Sequence, residues 1–99
     1  MKTALRLFDA EGRERAVLGV LESGSPSLHL WDAKGVMRAW FALRPSNAPL
    51  LVLSDESGTQ RLVLGNTFLE GTRTGLVKEM PPSSVVLFDK DGKVLWRAP

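Results

Sequence analysis

Of the residue types that carry most protein chemistry, this 99-residue chain has little: no cysteine, and a single histidine, His29. Without cysteine there is no disulfide framework, no thiolate nucleophile and no thiolate zinc site. One imidazole without partners does not make a metal site. No apolar run approaches the roughly 18–20 residues that span a bilayer as a helix. Met1 to Arg6 contains no apolar signal segment, so the chain as it stands is expected to be soluble. An excess of either charge is missing too, with 13 Lys and Arg against 11 Asp and Glu. The arginines are strewn from Arg6 to Arg97 without clustering, which argues against nucleic acid as a partner. No window keeps a 3.6-residue apolar spacing between caps, so no substantial helix is expected.

What is present is a repeat. Leu28-His29-Leu30-Trp31-Asp32-Ala33-Lys34-Gly35 is echoed by Leu5-Arg6-Leu7-Phe8-Asp9-Ala10-Glu11-Gly12, by Leu51-Val52-Leu53-Ser54-Asp55-Glu56-Ser57-Gly58 and by Val85-Val86-Leu87-Phe88-Asp89-Lys90-Asp91-Gly92. Asp9, Asp32 and Asp55 stand 23 residues apart, and Asp89 follows 34 later. Each copy alternates with a period of two, the signature of a strand, and then meets Asp-x-x-Gly. Asp accepts hydrogen bonds from amides two residues on, and Gly supplies a positive φ without steric cost. Each copy is therefore read as a β-hairpin. The ninety-nine residues are one domain with units at about 3–24, 25–48, 49–65 and 84–99 and an inserted segment at 66–83. Within the insertion, Thr67-Phe68-Leu69 and Thr74-Gly75-Leu76-Val77 are candidates for an extra short hairpin.

If Asp9 pairs with Arg13, a three-residue loop with a bulge places Leu5, Leu7, Arg15 and Val17 on one face. Arg6, Phe8, Ala16, Leu18 and Val20 then lie on the other. A four-residue loop would swap the returning strand, because a slip of one residue inverts every side chain. In the bulged register the doublets Leu5/Leu7, Leu28/Leu30, Leu51/Leu53 and Val85/Leu87 are expected to form stacked core layers. Apolar residues on both faces favour a closed barrel. Arg15, Arg38 and Arg61 stand three residues after the turn glycines, where the last unit has Leu95. They are expected to pair with turn aspartates and fix the register, so Asp9, Gly12, Arg15, Asp32, Gly35, Arg38, Asp55, Gly58, Arg61, Asp89 and Gly92 form a structural ladder. The other reading of the arginines is a ring that binds phosphate or anionic headgroups.

The pattern Leu28-x-Leu30-x-Asp32-x-x-Gly35-x-x-Arg38-Ala39, preceded by Gly24-Ser25-Pro26-Ser27, resembles a group of uncharacterised bacterial β-hairpin-repeat proteins of the β-flower type. The closing segment from Ser83 to Pro99 looks like that group's last unit. The third unit departs from the pattern, with Leu62 after Arg61 and Ser54 in the aromatic position. The resemblance implies hairpin petals around a shallow symmetric barrel with an apolar channel, distantly similar to tubby-type lipid-binding domains. It also implies that related proteins often carry a membrane anchor ahead of the repeats. It brings no catalytic residues.

No constellation for catalysis stands out. His29 could act as a base only with Ser25 or Ser27, which are read as loop residues with no motif around them. The Asp-x-x-Gly turns hold too few oxygens for calcium, and Lys34 and Lys90 lie inside them. Gly71-Thr72-Arg73-Thr74-Gly75 lacks the spacing of a phosphate loop. The chain is therefore read as no enzyme, with no metal and no cofactor. The leading expectation is a non-catalytic structural or assembly module that pairs with itself through edge strands. The alternative is a lipid or other apolar ligand in a central channel, for which Leu7, Leu30, Leu53, Leu87, Trp31, Trp40 and Phe41 are the candidate channel or interface residues.

Overall fold

The computed structural model describes residues 3–65, 68–70, 77–79 and 84–98. They are all β, with no helix among the described residues. The strands are β1 (Thr3–Phe8), β2 (Glu14–Val20), β3 (Pro26–Trp31), β4 (Met37–Leu43), β5 (Pro49–Ser54), β6 (Gln60–Gly65), β7 (Phe68–Glu70), β8 (Val77–Glu79), β9 (Ser84–Phe88) and β10 (Val94–Ala98). Eight of them form one antiparallel sheet in the order β1-β2-β3-β4-β5-β6-β9-β10, while β7 and β8 pair as a separate ribbon. β7 overlaps the first candidate strand read at 67–69, whereas β8 shares only Val77 with the second, read at 74–77; residues 66–67, 71–76 and 80–83 lie outside the described residues. The sheet is open. β1 and β10 are its edges, so the expected closure into a barrel is not made by these strands.

Each Asp-x-x-Gly segment folds as the same tight turn. The Asp32 N–H donates to the Val36 carbonyl at 2.8 Å, and the Gly35 N–H returns to the Asp32 carbonyl at 3.1 Å. Gly12, Gly35, Gly58 and Gly92 all have φ between 80° and 87°, a region that costs side-chain-bearing residues energy. The links between hairpins reuse this geometry without aspartate. The Leu21 N–H donates to Ser25 and the Arg44 N–H to Ala48, both at 2.9 Å. In the second link, which has no glycine, Asn47 takes the left-handed position with φ 68°, as its short amide side chain permits.

The register corrects the expected faces. Asp9 does bond to Arg13, but a second irregularity follows: Phe8 lies opposite Glu14, whereas Leu7 lies opposite Ala16. Arg15 is the extra residue. The shift recurs at Arg38, Arg61 and Leu95. One extra residue turns over everything after it. Ala16 and Leu18 therefore join Leu5 and Leu7, while Val17 joins Arg6 on the opposite face.

Two unlike faces result. One row across the sheet runs Arg6, Val17, His29, Trp40, Val52, Val63, Val86, Arg97, and beside it lie Gly19, Ser27, Ala42, Leu50 and Gly65. This valine face holds the core: Val17, Ala42, Leu50, Val52 and Val63 are buried, and Val86 is 0% exposed. Trp40 and Phe88 pack against Leu50, Val52 and Val63. Burying one such aliphatic side chain contributes roughly 1.5–3 kcal/mol. The aliphatic doublets expected to form the core lie on the other side. There Leu5 is 60% exposed, and Leu7, Leu30, Leu53 and Leu87 also reach solvent. The large rings shield the valine face, and no described strand layer covers the leucines.

Candidate functional site

The turn ladder is built from short contacts that repeat. Asp32 Oδ1 accepts from the Lys34 and Val36 amides at 2.9 and 3.0 Å, and Oδ2 lies 3.5 Å from Arg38 Nη1. Asp9, Asp55 and Asp89 receive amide bonds in the same way. These bonds hold the carboxyls of Asp32, Asp55 and Asp89 below the ordinary value, led by the Val36 amide, the Ser57 hydroxyl and the Lys93 amide respectively. At Asp9 partial desolvation pushes upward, and the hydrogen bonds from Arg13 and Glu11 outweigh it.

The three arginines reach forward. Arg15 Nε donates to the Trp31 carbonyl at 2.9 Å, Arg38 to that of Ser54 at 2.8 Å and Arg61 to that of Phe88 at 2.8 Å. Each carbonyl belongs to the residue just before the next turn aspartate. With its other arm each guanidinium meets the aspartate of its own hairpin, at 3.4–3.5 Å. The carboxylate oxygens and guanidinium nitrogens are thus engaged with one another and with the backbone. Among the described residues, no group of three or more His, Asp or Glu could hold a metal ion.

The seven candidate apolar residues divide between the faces. Leu7, Leu30, Leu53 and Leu87 share one row with Ala16, Ala39, Leu62 and Trp96. Phe41 lies in the adjoining row on that face, with Leu5, Leu18, Leu28, Leu51, Leu64, Val85 and Ala98. Neither row contains a charged or polar side chain. Phe41 is 54% exposed and separates two depressions. The larger, of about 370 Å³, is lined by Pro49, Leu51, Leu64 and Val85 among others; the smaller, of about 200 Å³, by Leu18, Pro26, Leu28 and Leu43. Trp96, also 54% exposed, belongs to this surface, and its spacing of two from Ala98 is the signal that could have placed it there.

Trp31 and Trp40 project from the opposite face, around His29. The His29 ring centroid lies 5.6 Å from that of Trp31 and 6.0 Å from that of Trp40. Ser27, read from sequence as a loop residue, is in β3, two residues from His29 and on its side. Trp40 Nε1 donates to Ser27 Oγ at 2.8 Å, and an indole N–H can only donate. Ser27 Oγ also meets His29 Nε2, and either atom can donate in that bond, because a hydroxyl oxygen can accept twice. Burial lowers the pKa of His29 and favours its neutral form. Ser27 is 2% exposed, which leaves a substrate no approach to Oγ.

No protein-family model matches the chain, and no curated protein matches it either.

Proposed function

We propose that the protein is a non-catalytic assembly module built from β-hairpin repeats of the β-flower type, with the leucine face as its working surface. One observation carries this reading: the two central rows of that face run across eight strands without a charge, and much of their apolar surface is open to solvent. Soluble monomers seldom leave so large an apolar patch bare, and such patches mark places where something docks. The polar groups of the chain serve the scaffold: the aspartates and arginines hold turns and neighbouring hairpins, and Ser27, His29 and Trp40 satisfy one another. The finer architecture suggested by the repeats, four hairpins closing as a shallow symmetric barrel, would require β10 to pair with β1.

A second reading, an apolar or lipid-like ligand held against the same face, is favoured by the depression of about 370 Å³ beside Phe41. That volume falls within the range of small-molecule sites. Native mass spectrometry of protein purified without detergent separates the two. The assembly reading expects bare multiples of the 10.9 kDa chain. A co-purifying lipid mass would favour the second reading, and a bare monomer would overturn the first.

A further inference from the structure

Resting on that assembly reading, we infer that two copies of the chain stack leucine face against leucine face about a two-fold axis close to Phe41. The first support is area. At ~4.8 Å between strands and ~3.4 Å per residue, the two uncharged rows, about four residues deep across eight strands, project on the order of 500–600 Å². Two such faces together bury about 1,000–1,200 Å² or more, which reaches the size of a specific protein interface.

The second is shape. A two-fold interface must be complementary to itself, with each patch meeting its own copy. Phe41 stands on the fourth of eight strands, in the middle of the face, as a half-exposed ring with a hollow on either side. A rotation about an axis beside it carries the ring of one copy into a hollow of the other. A central aromatic anchor within an apolar surround is the usual anatomy of such an interface.

The third is charge. The hairpin turns border the face, and three of the four mix signs: Asp9 and Glu11 with Arg13, Asp32 with Lys34, Asp89 and Asp91 with Lys90 and Lys93; the third carries Asp55 and Glu56. That rim has no positive excess to draw anionic headgroups, so a membrane is the poorer occupant. It does supply the polar border of a protein interface.

Sheet edges offer the competing route to assembly, and they are guarded. By the repeat register, β10 meeting β1 would set Arg97 opposite Arg6 in the row otherwise held by Val17, His29, Trp40 and the valines. Like charges directly across a ladder oppose pairing, and an inward-pointing charge on an edge strand is a known guard.

Sedimentation velocity over a dilution series gives the first test, with a dimer expected for the wild-type chain. Phe41→Asp should raise the dissociation constant by at least about 30-fold, the effect of losing a central anchor, with an unchanged far-UV spectrum. Leu51→Cys, one strand from Phe41 in the same row, keeps the anchor and provides a test that does not depend on that variant folding, because the chain has no other thiol. Packed sheets lie ~10 Å apart, beyond the reach of a disulfide but within that of a short bis-maleimide. Leu51→Cys should cross-link in pairs and Ala10→Cys, at a turn tip, should not. A wild-type monomer would overturn both this inference and the assembly reading. An oligomer in which Phe41→Asp changes nothing, or in which Leu51→Cys links no better than Ala10→Cys, would overturn the stacking alone.

Discussion

Arg6 and Arg97 occupy the two ends of a single row across the sheet, on opposite edges but the same face. Every position between them is uncharged when His29 is neutral. Arg6 also forms an ion pair with Glu14 on the adjacent strand. Replacing both arginines by valine would extend the aliphatic row to each edge and remove the charge that opposes pairing. The double variant is expected to form species larger than the wild type, by β10 of one chain adding to β1 of the next. Light scattering after gel filtration checks this, and an elution profile identical to wild type would count against edge guarding.

The bond from Arg38 Nε to the Ser54 carbonyl joins the second hairpin to the third. Leu95 shows that an aliphatic residue fits the equivalent place in the sheet, where it is 65% exposed. Arg38→Leu should therefore fold and lose about 1 kcal/mol, the net worth of one hydrogen bond. The ion pair with Asp32 adds little at such an exposed site. Urea denaturation should show a lower midpoint with an unchanged slope.

Two glycines are needed for different reasons. A Cβ at Gly35 would meet nothing within 4 Å, so Gly35→Ala pays only for φ +86°, about 1–2 kcal/mol. At Gly65, φ is +108° and a Cβ would lie 2.0 Å from the Pro49 carbonyl oxygen. Gly65→Ala should cost roughly 3 kcal/mol or more, because strain and overlap act together. Thermal unfolding of the two variants should rank them in that order. Equal midpoints would contradict the close approach of β5 and β6.

Acid should weaken the turns. Folding holds Asp32, Asp55 and Asp89 below their ordinary value of 3.8, so the unfolded chain takes up protons first as pH falls. Their contribution is complete above 3.8 and disappears as pH drops through the lower folded values. Asp32→Asn should show a shallower loss of melting temperature over that interval than the wild type.

His29 acts in a separate range. Burial holds it below its ordinary 6.5, so its neutral form favours the fold above 6.5. Stability should fall as pH drops from 6.5 through the lower folded value. His29→Gln should flatten that slope, and an identical slope in the variant would show that the ring stays hydrated.

The all-β class and the hairpin turns were legible because Asp-x-x-Gly imposes its geometry locally: an acceptor at one end, a positive φ at the other. The faces were not. A period of two says which residues share a side of one strand, but one extra residue at Arg15 reverses the next strand, and nothing in the local pattern marks it as a bulge. Once its Nε bond to Trp31 is seen, the bulge has a cause, but that partner lies sixteen residues away. The same reversal moved Leu18, Phe41 and Leu64 onto the leucine face. It also put Trp40 on the other side from Leu7 and Leu30, where Trp31 already lies by alternation along β3. Ser27 was missed because Pro26 before it suggests a link, whereas the strand begins at that proline.

The forward reach of Arg15, Arg38 and Arg61 gives the chain a direction. Every hairpin that carries such an arginine clasps its successor, and the last described hairpin has Leu95 in that place. The two ends are therefore unequal under trimming. Removing β1 and β2 takes away a clasp together with its owner and leaves the remaining clasps whole, whereas removing β9 and β10 strands Arg61 with its acceptor gone.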